Sequence, residues 1–208
     1  MVDDLRETQE RLLDSAEELF AEKGFEAVSL REITAKAEAN VAAVNYHFGS
    51  KENLIDAVMG RHARPINEER IARLDLLLAR ESPPTVREVA DAFLQPMRNR
   101  ILEKKSRQLL FAKFMARMLG EGACRLPEEM LPQFQEMARK VVAGFRAAQP
   151  GLSEENGYWG LKFCFAVMKD AMMHDEALEQ ISEGCLEGDC DWSQVYEKVL
   201  DFCEGGVK

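Results

Sequence analysis

Apolar residues recur along this chain with a helical spacing from one end to the other. In "RLLDSAEELF", Leu12, Leu13, Ala16, Leu19 and Phe20 share one helical face. Gly24 is placed to end that helix, which is predicted over Arg6–Lys23. No segment alternates apolar and polar residues between turn signals, so the pattern predicts an all-α fold. A second helix begins at "VSLREI". Ser29 as N-cap, with Glu32 three residues on, makes a capping box, and Val28 and Ile33 are spaced to form the hydrophobic staple around it. This helix runs to Ala37, "EAN" turns the chain, and Asn40 caps a third helix over Val41–Phe48 that Gly49 stops. Ser50 caps a fourth.

Ser29 to Phe48 is thus two short helices joined by a three-residue turn, which is helix-turn-helix spacing. The first helix supplies an apolar face to pack them. The same caps and periods also fit a plain helical hairpin inside a bundle. Further helices are predicted over Ile66–Arg80, Thr85–Leu102, Lys105–Gly120, Glu128–Ala148, Ser153–His174 and Trp192–Glu204, with breaks at "SPPT", "GEG", "RLP" and "QPG". Pro96 and Pro132 lie inside these spans and predict kinks or later starts. Asp175–Asp191 reads as an acidic loop. The division expected is a DNA-binding-sized N-terminal domain over residues 1–50 and a larger helical domain over 51–208, with Ser50–Arg64 as the connecting helix.

Composition narrows the classes. The chain has 208 residues, 46% hydrophobic and 31% charged, as in an ordinary globular protein. No apolar run is long enough to span a membrane. "MVDDLRETQERLL" has no apolar signal region, which places the protein in the cytoplasm. The five cysteines then read as reduced thiols. Cys185 and Cys190 in "CLEGDC" lack the paired spacing of a zinc site, and neither a metal nor another cofactor is expected. A net charge of −10 opposes binding to nucleic acid. The acids, however, are segregated: nine lie between Asp170 and Glu197 with no Lys or Arg, whereas Ala39 to Lys51 contains none.

The segment "LLDSAEELFAEKGFEAVSLREITAKAEANVAAVNYHFGSKENLIDAV" resembles the N-terminal domain of TetR-family transcriptional regulators. "LFAEKGF", "SLREI" and "YHFGSKENL" all agree with that family in spacing. "YWGLKFCFAVM" and the closing helix resemble the branch that responds to fatty acids or acyl thioesters. One position departs from the pattern: Glu38 stands where the family usually has Gly in the turn. The resemblance implies a homodimer on a double-stranded, pseudo-palindromic operator, with each third helix in a major groove. It also implies an apolar ligand held inside each C-terminal domain, an acyl chain by the likeness to that branch, and release of DNA by that ligand.

Residue types fit these roles. Val41, Ala42 and Ala43 let the backbone approach base edges, and Asn45 can pair bidentately with adenine. The resemblance gives Ala42 and Asn45, with Val41, as base contacts, and turns Val44 and Phe48 to the core. Tyr46, His47 and Lys51 offer three donors of different reach for phosphates, and Ser29 and Asn40 add donors at helix N-termini. Phe111, Phe114, Met115, Met118, Trp159, Phe163 and Met168 are the candidate lining of an adaptable apolar cavity, with Arg117 for a ligand carboxylate. Phe165, Met172, Trp192, Val195, Tyr196 and Val199 are the candidate dimer face. The alternatives are an interaction module without DNA binding, or an enzyme. Against an enzyme, the chain has no G-x-S-x-G, G-x-G-x-x-G, P-loop or His-Glu-x-x-His.

Overall fold

The capping signals of the N-terminal third become real caps in the computed structural model, which describes residues 2–102, 110, 113–114, 126–171, 180–183, 185 and 191–207. Among these residues there are helices and no strand. Helix α1 (Val2–Lys23) buries Leu12, Leu13, Ala16, Leu19 and Phe20, the predicted face. Gly24 follows at φ 83°, and its N–H donates to Phe20 O at 2.9 Å. Ahead of α2 (Leu30–Lys36), Ser29 Oγ accepts from Glu32 N at 3.3 Å, while Glu32 Oε2 accepts from Ser29 N at 2.9 Å. This capping box is closed on both sides, and the staple residues Val28 and Ile33 are buried.

Glu38, at φ 51°, takes the left-handed position after α2. Around it Ala39 N donates to Thr34 O at 2.9 Å and Glu38 N to Ala35 O at 3.4 Å, the bonding of a Schellman motif. A side chain there costs about 1 kcal/mol relative to Gly. From α1, Arg11 Nε donates to Ala37 O at 3.1 Å, satisfying another carbonyl at this helix end. Helix α3 (Val41–His47) is capped by Asn40, whose Oδ1 accepts from Ala43 N at 2.9 Å.

The break expected at Pro65 does not occur. Helix α4 runs unbroken over Lys51–Leu78, with Pro65 inside it. The ring removes one backbone donor and presses on the carbonyl of Arg61. Side-chain anchors on both sides of it compensate. Before the proline, Arg61 meets Asp14 at 2.5 Å, Glu17 at 3.4 Å and Glu10, and His62 Nε2 lies 2.8 Å from Glu17 Oε1. Beyond it, Ile66, Asn67 and Arg70 are buried. Glu17 is itself only 1% exposed, so its carboxylate depends on these partners.

The chain forms two compact units, residues 1–66 with 98–132 and residues 67–97 with 133–208. In the second, α5 (Val86–Leu102) continues through Pro96. α6 (Leu131–Ala148) follows a 3-10 turn (Glu128–Met130) that belongs to the first unit; Pro132 falls in the first turn of α6, and the missing N–H leaves no intrahelical bond unmade. Then come α7 (Glu154–Ala171) and α8 (Trp192–Gly206). The core of this unit holds Leu74, Val89, Phe93, Leu94, Val141, Phe145, Cys164 and Met168. Small residues let the helices close on one another. A Cβ on Gly157 would stand 2.7 Å from Val142 Cγ1, and one on Gly160 would stand 3.1 Å from Val207 Cγ2. One turn after Gly160, Cys164 meets Cys203, one turn before Val207, so α7 and α8 run antiparallel. Contact with Cys203 and burial both push the Cys164 thiol up, keeping it protonated.

The apolar stripe of α8 faces inward rather than toward a partner. Tyr196, Val199, Leu200 and Cys203 are buried in their own core, and Tyr196 Oη donates to Asp91 at 2.8 Å. Arg87 on α5 binds Asp201 at 2.5 Å and also Glu197, holding α8 with that face turned in. Tyr196 and Val199, expected on a dimer face, are thus packed inside their own unit.

Two outcomes follow from these anchors. Arg61→Ala leaves the buried Glu17 carboxylate short of its cation and should cost about 3 kcal/mol in denaturant unfolding. Adding Glu17→Gln should recover part of that loss; a double variant no more stable than Arg61→Ala would show that burial of the charge is not the cause. The second outcome concerns pH. The Ser29 backbone N–H, helped by Lys23, holds the Glu32 carboxyl at about 2 against an ordinary 4.5. A depressed acid stabilises the fold above its unfolded pKa and loses that contribution as pH falls toward its folded pKa. The melting-temperature gap between wild type and Glu32→Gln should thus be full above pH 4.5 and gone near pH 2. A gap that is constant with pH would sever the link to Glu32 ionisation.

Candidate nucleic-acid interface

Helix α3 presents one face to solvent and anchors the other. Val44 is fully buried and Phe48 nearly so, while Val41, Ala42, Asn45 and Tyr46 are exposed, Tyr46 at 73%. The heptapeptide can do this because its inward positions carry the large apolar groups, and its outward positions are small or polar. α1, α2 and α3 pack on one another in the first unit. The exposed face is thereby held on a rigid base, as a base-reading surface requires.

The candidate phosphate donors gather at the junction of α3 and α4. The Tyr46 and His47 rings meet edge to face at 5.0 Å between centroids. Lys51 opens α4, and Ser50 caps it by accepting from Asn53 N at 3.1 Å. Backbone N–H groups at the start of this long helix add a positive dipole end. Glu52 is also here, its carboxyl lowered by its own backbone N–H and by Ser50, so the junction is not uniformly positive.

Asn40 and Ser29 are both occupied as caps, to different degrees. Asn40 uses only Oδ1 for the cap and is exposed, so its amide nitrogen takes no part in the cap. Ser29 donates both its N–H and its hydroxyl to Glu32 Oε2, at 2.9 and 3.0 Å. The structure therefore gives Ser29 the cap alone, and a phosphate there would compete with the Glu32 carboxylate. Sequence reasoning missed Arg11 and Asn53. Asn53 Nδ2 donates to Phe48 O at 2.7 Å, closing the end of α3 onto α4. Their positions gave no signal, because each acts on a carbonyl that only the fold brings near.

Of the residues expected to line a ligand cavity, four are described, one in the first unit and three in the second. Phe114 belongs to the first unit, buried against Phe25 at 5.5 Å and near His62 at 6.5 Å. Met168 is in the core of the second. Trp159 and Phe163 are 44% and 53% exposed, stacked at 5.6 Å on the outer face of α7, with Lys162 over the indole. They point outward because Gly157, Gly160 and Cys164 occupy the inward positions. Phe111, Met115, Arg117, Met118 and Met172 lie outside the described residues, as does most of the predicted helix Lys105–Gly120. Within the first unit there is a cavity of about 860 Å³, lined by His47 and Lys51 and by the carboxylates Glu26, Glu52, Asp56, Glu128 and Glu129. It shares no residue with the predicted apolar set.

Comparison with known proteins bears on this arrangement. Residues 12–58 match the family described as bacterial regulatory proteins, tetR family. Residues 91–206, more than half of the chain, match the tetracyclin repressor-like C-terminal domain. An HTH-type transcriptional regulator of Bacillus subtilis, YvkB, is 34% identical over 59 residues, 28% of this chain and 31% of that protein. An HTH-type transcriptional repressor of Mycobacterium tuberculosis is 44% identical over 48 residues, 23% of this chain and 26% of that one. Each match spans less than a third of the relative. Among solved structures, SmeT, described as the repressor of the Stenotrophomonas maltophilia multidrug efflux pump SmeDEF, superposes with a TM-score of 0.62 at 20% identity, over 96% of this chain and 91% of that one. A TetR-family regulator of Streptomyces coelicolor gives 0.59 at 24%, over 97% and 95%. These likenesses show the fold, whereas the two family matches show membership. Both families are regulators and not enzymes. With a capped helix-turn-helix at its N-terminus and the family's C-terminal domain behind it, the chain belongs to the TetR family of DNA-binding transcriptional regulators.

Proposed function

We propose that this chain is a repressor which binds a pseudo-palindromic operator as a homodimer and is released by a small apolar ligand, of which an acyl chain is the best candidate. The observation that carries the DNA reading is the exposed α3 face, Val41, Ala42 and Asn45, on an acid-free stretch that leads into the capped start of α4. Ala42 and Asn45 read base edges, with Val41 beside them. Tyr46, His47, Lys51 and the Asn40 amide position the helix on phosphates.

For the dimer, the supporting feature is a set of exposed aromatic residues in the second unit: Tyr158, Trp159 and Phe163 on α7, and Trp192 and Phe202 on α8. Trp192 carries over from the residues expected at this interface, and Phe165 and Val195 are half-buried beside the core. Aromatic side chains left in water at this density are characteristic of a surface that another protein covers. The acyl reading is supported by the Met and Phe content of the C-terminal half and by the resemblance of "YWGLKFCFAVM".

The DNA contacts separate by salt dependence. Each dimer carries Lys51 twice, so Lys51→Ala should lower the log–log salt slope of binding by about 2 and weaken operator and random DNA alike. Asn45→Ala should leave the slope nearly unchanged and narrow the operator preference by about 1–3 kcal/mol per half-site. The reverse pattern would mean that α3 docks differently. For assembly, light scattering at micromolar concentration should give a dimer for the wild type and a monomer for Phe163→Glu. A monomeric wild type would remove the homodimer from the proposal.

A further inference from the structure

The second unit contains a buried cation with no acidic partner among the described residues. Arg70, on α4, is 5% exposed, and Asn67 one turn earlier is 0% exposed. Arg70 Nε donates to Phe93 O at 2.7 Å, and Nη1 donates to Asn67 Oδ1 at 3.1 Å. The remaining polar approach is Nη2 to Met97 Sδ at 3.8 Å, a weak acceptor, and the guanidinium lies 4.4 Å from the centre of the Phe93 ring. Asn67 Nδ2 is buried with no hydrogen-bond partner. Several other cations of this unit reach acids: Arg73 meets Glu69, Arg80 meets Glu88, Arg87 meets Asp201, and Lys140 meets Asp75. Arg70 meets none among the described residues. The nearby acids in sequence are turned elsewhere, Glu68 to solvent and Glu69 to Arg73. Burial alone draws the guanidinium down to about 10.

Buried arginines are ordinarily paired, because an uncompensated charge in an apolar interior is strongly disfavoured. A structural role explains part of the arrangement. Pro96 disturbs the backbone bonding of α5, and one donor on the Phe93 carbonyl helps to hold that turn. A neutral donor would serve that purpose. Neither the full positive charge nor the loose Asn67 amide beside it is accounted for. Together they present unshared N–H groups of one guanidinium and one carboxamide, side by side, next to Phe93 and Met97.

We propose that Asn67 and Arg70 form the head-group site for a carboxylate ligand, whose oxygens accept from the unshared Arg70 N–H groups and from Asn67 Nδ2. One positive charge matches a monoanion. A phosphate dianion would leave net negative charge in the same apolar surroundings, so the carboxylate class is favoured. The role that the sequence assigned to Arg117 falls to Arg70. This inference rests on the reading of an acyl ligand and gives that ligand its polar end.

The test uses the full chain with decanoate and its methyl ester, which share a chain and differ in charge. Decanoate should raise the melting temperature and the ester should not. Asn67→Asp places a carboxylate beside Nη1. It should stabilise the free protein and weaken decanoate binding by about tenfold or more, the loss expected of a charge-assisted contact. Arg70→Met should also lose the response, and Asn67→Asp guards against a misfolded Arg70 variant. Equal stabilisation by acid and ester, no stabilisation by decanoate, or an undiminished response in Asn67→Asp would each overturn the site. Gel shifts on the operator keep the readings apart. If acid and ester release DNA equally, the acyl-responsive repressor stands and the carboxylate site falls. If neither releases it, both fall and DNA binding alone remains.

Discussion

Glu17 sets the geometry of the N-terminal unit. Its carboxylate is almost wholly buried on α1, and the groups that keep it tolerable, Arg61 and His62, are consecutive residues of α4. Consecutive positions on a helix point about 100° apart. A carboxylate gripped by both therefore fixes the rotation of α4 as well as its distance from α1. Asp14 and Glu10 extend the grip along α1 by about one turn each. The start of α4, where Ser50, Lys51 and Asn53 close the end of α3, is placed by the same restraint. A purely apolar seam would allow sliding and rolling, whereas a buried charge with two directional partners does not.

The surface proposed to meet DNA answers an electrostatic problem locally. A chain of net charge −10 repels a polyanion at long range, yet screening limits that repulsion to roughly 10 Å at moderate salt. What matters at contact is the charge within that distance. The stretch from Ala39 to Lys51 lacks acids and ends at a helix N-terminus. Lys36 is paired with Glu18 at 2.6 Å and Lys23 with Glu32 at 3.0 Å, so two nearby cations are already spent on holding α2 to α1. The left-handed Glu38 fits this economy poorly: it strains the turn and exposes a carboxylate just ahead of α3.

In the second unit the decisive feature is close helix approach. Gly144 lies against Val89, Gly157 against Val142 and Gly160 against Val207, each at a distance that a side chain could not share without displacement. With the inward positions of α7 given to small residues, its large aromatic residues are left on the outside. Tryptophan and phenylalanine in water are unfavourable for a lone chain, and their exposure is consistent with a surface that a second molecule covers. The same packing leaves Arg70 in the interior over the Phe93 ring, with no carboxylate partner among the described residues.

Residues 24–54 were legible in the sequence because their structure is written in local bonds. Ser29 with Glu32, Asn40 with Ala43, Ser50 with Asn53, and the glycines at 24 and 49 each act within five residues. The inward turn of Val44 and Phe48 follows from the same short-range periodicity. Three things were not legible. Pro65 reads as a helix end, and it is the anchoring of Arg61 and Arg70 on either side that carries α4 through it. The stripe of Tyr196, Val199 and Cys203 reads as an open face, yet it fills the chain's own core because Asp91, Arg87 and Cys164 wait for it far away in sequence. Trp159 and Phe163 read as cavity lining, yet they are outside because three small residues of the same helix pack better inside. Apolar periodicity specifies that a face will be buried but not by what, since the hydrophobic effect has no direction. Only the tertiary structure, through close packing and a few directional polar bonds, decides which surface each face meets.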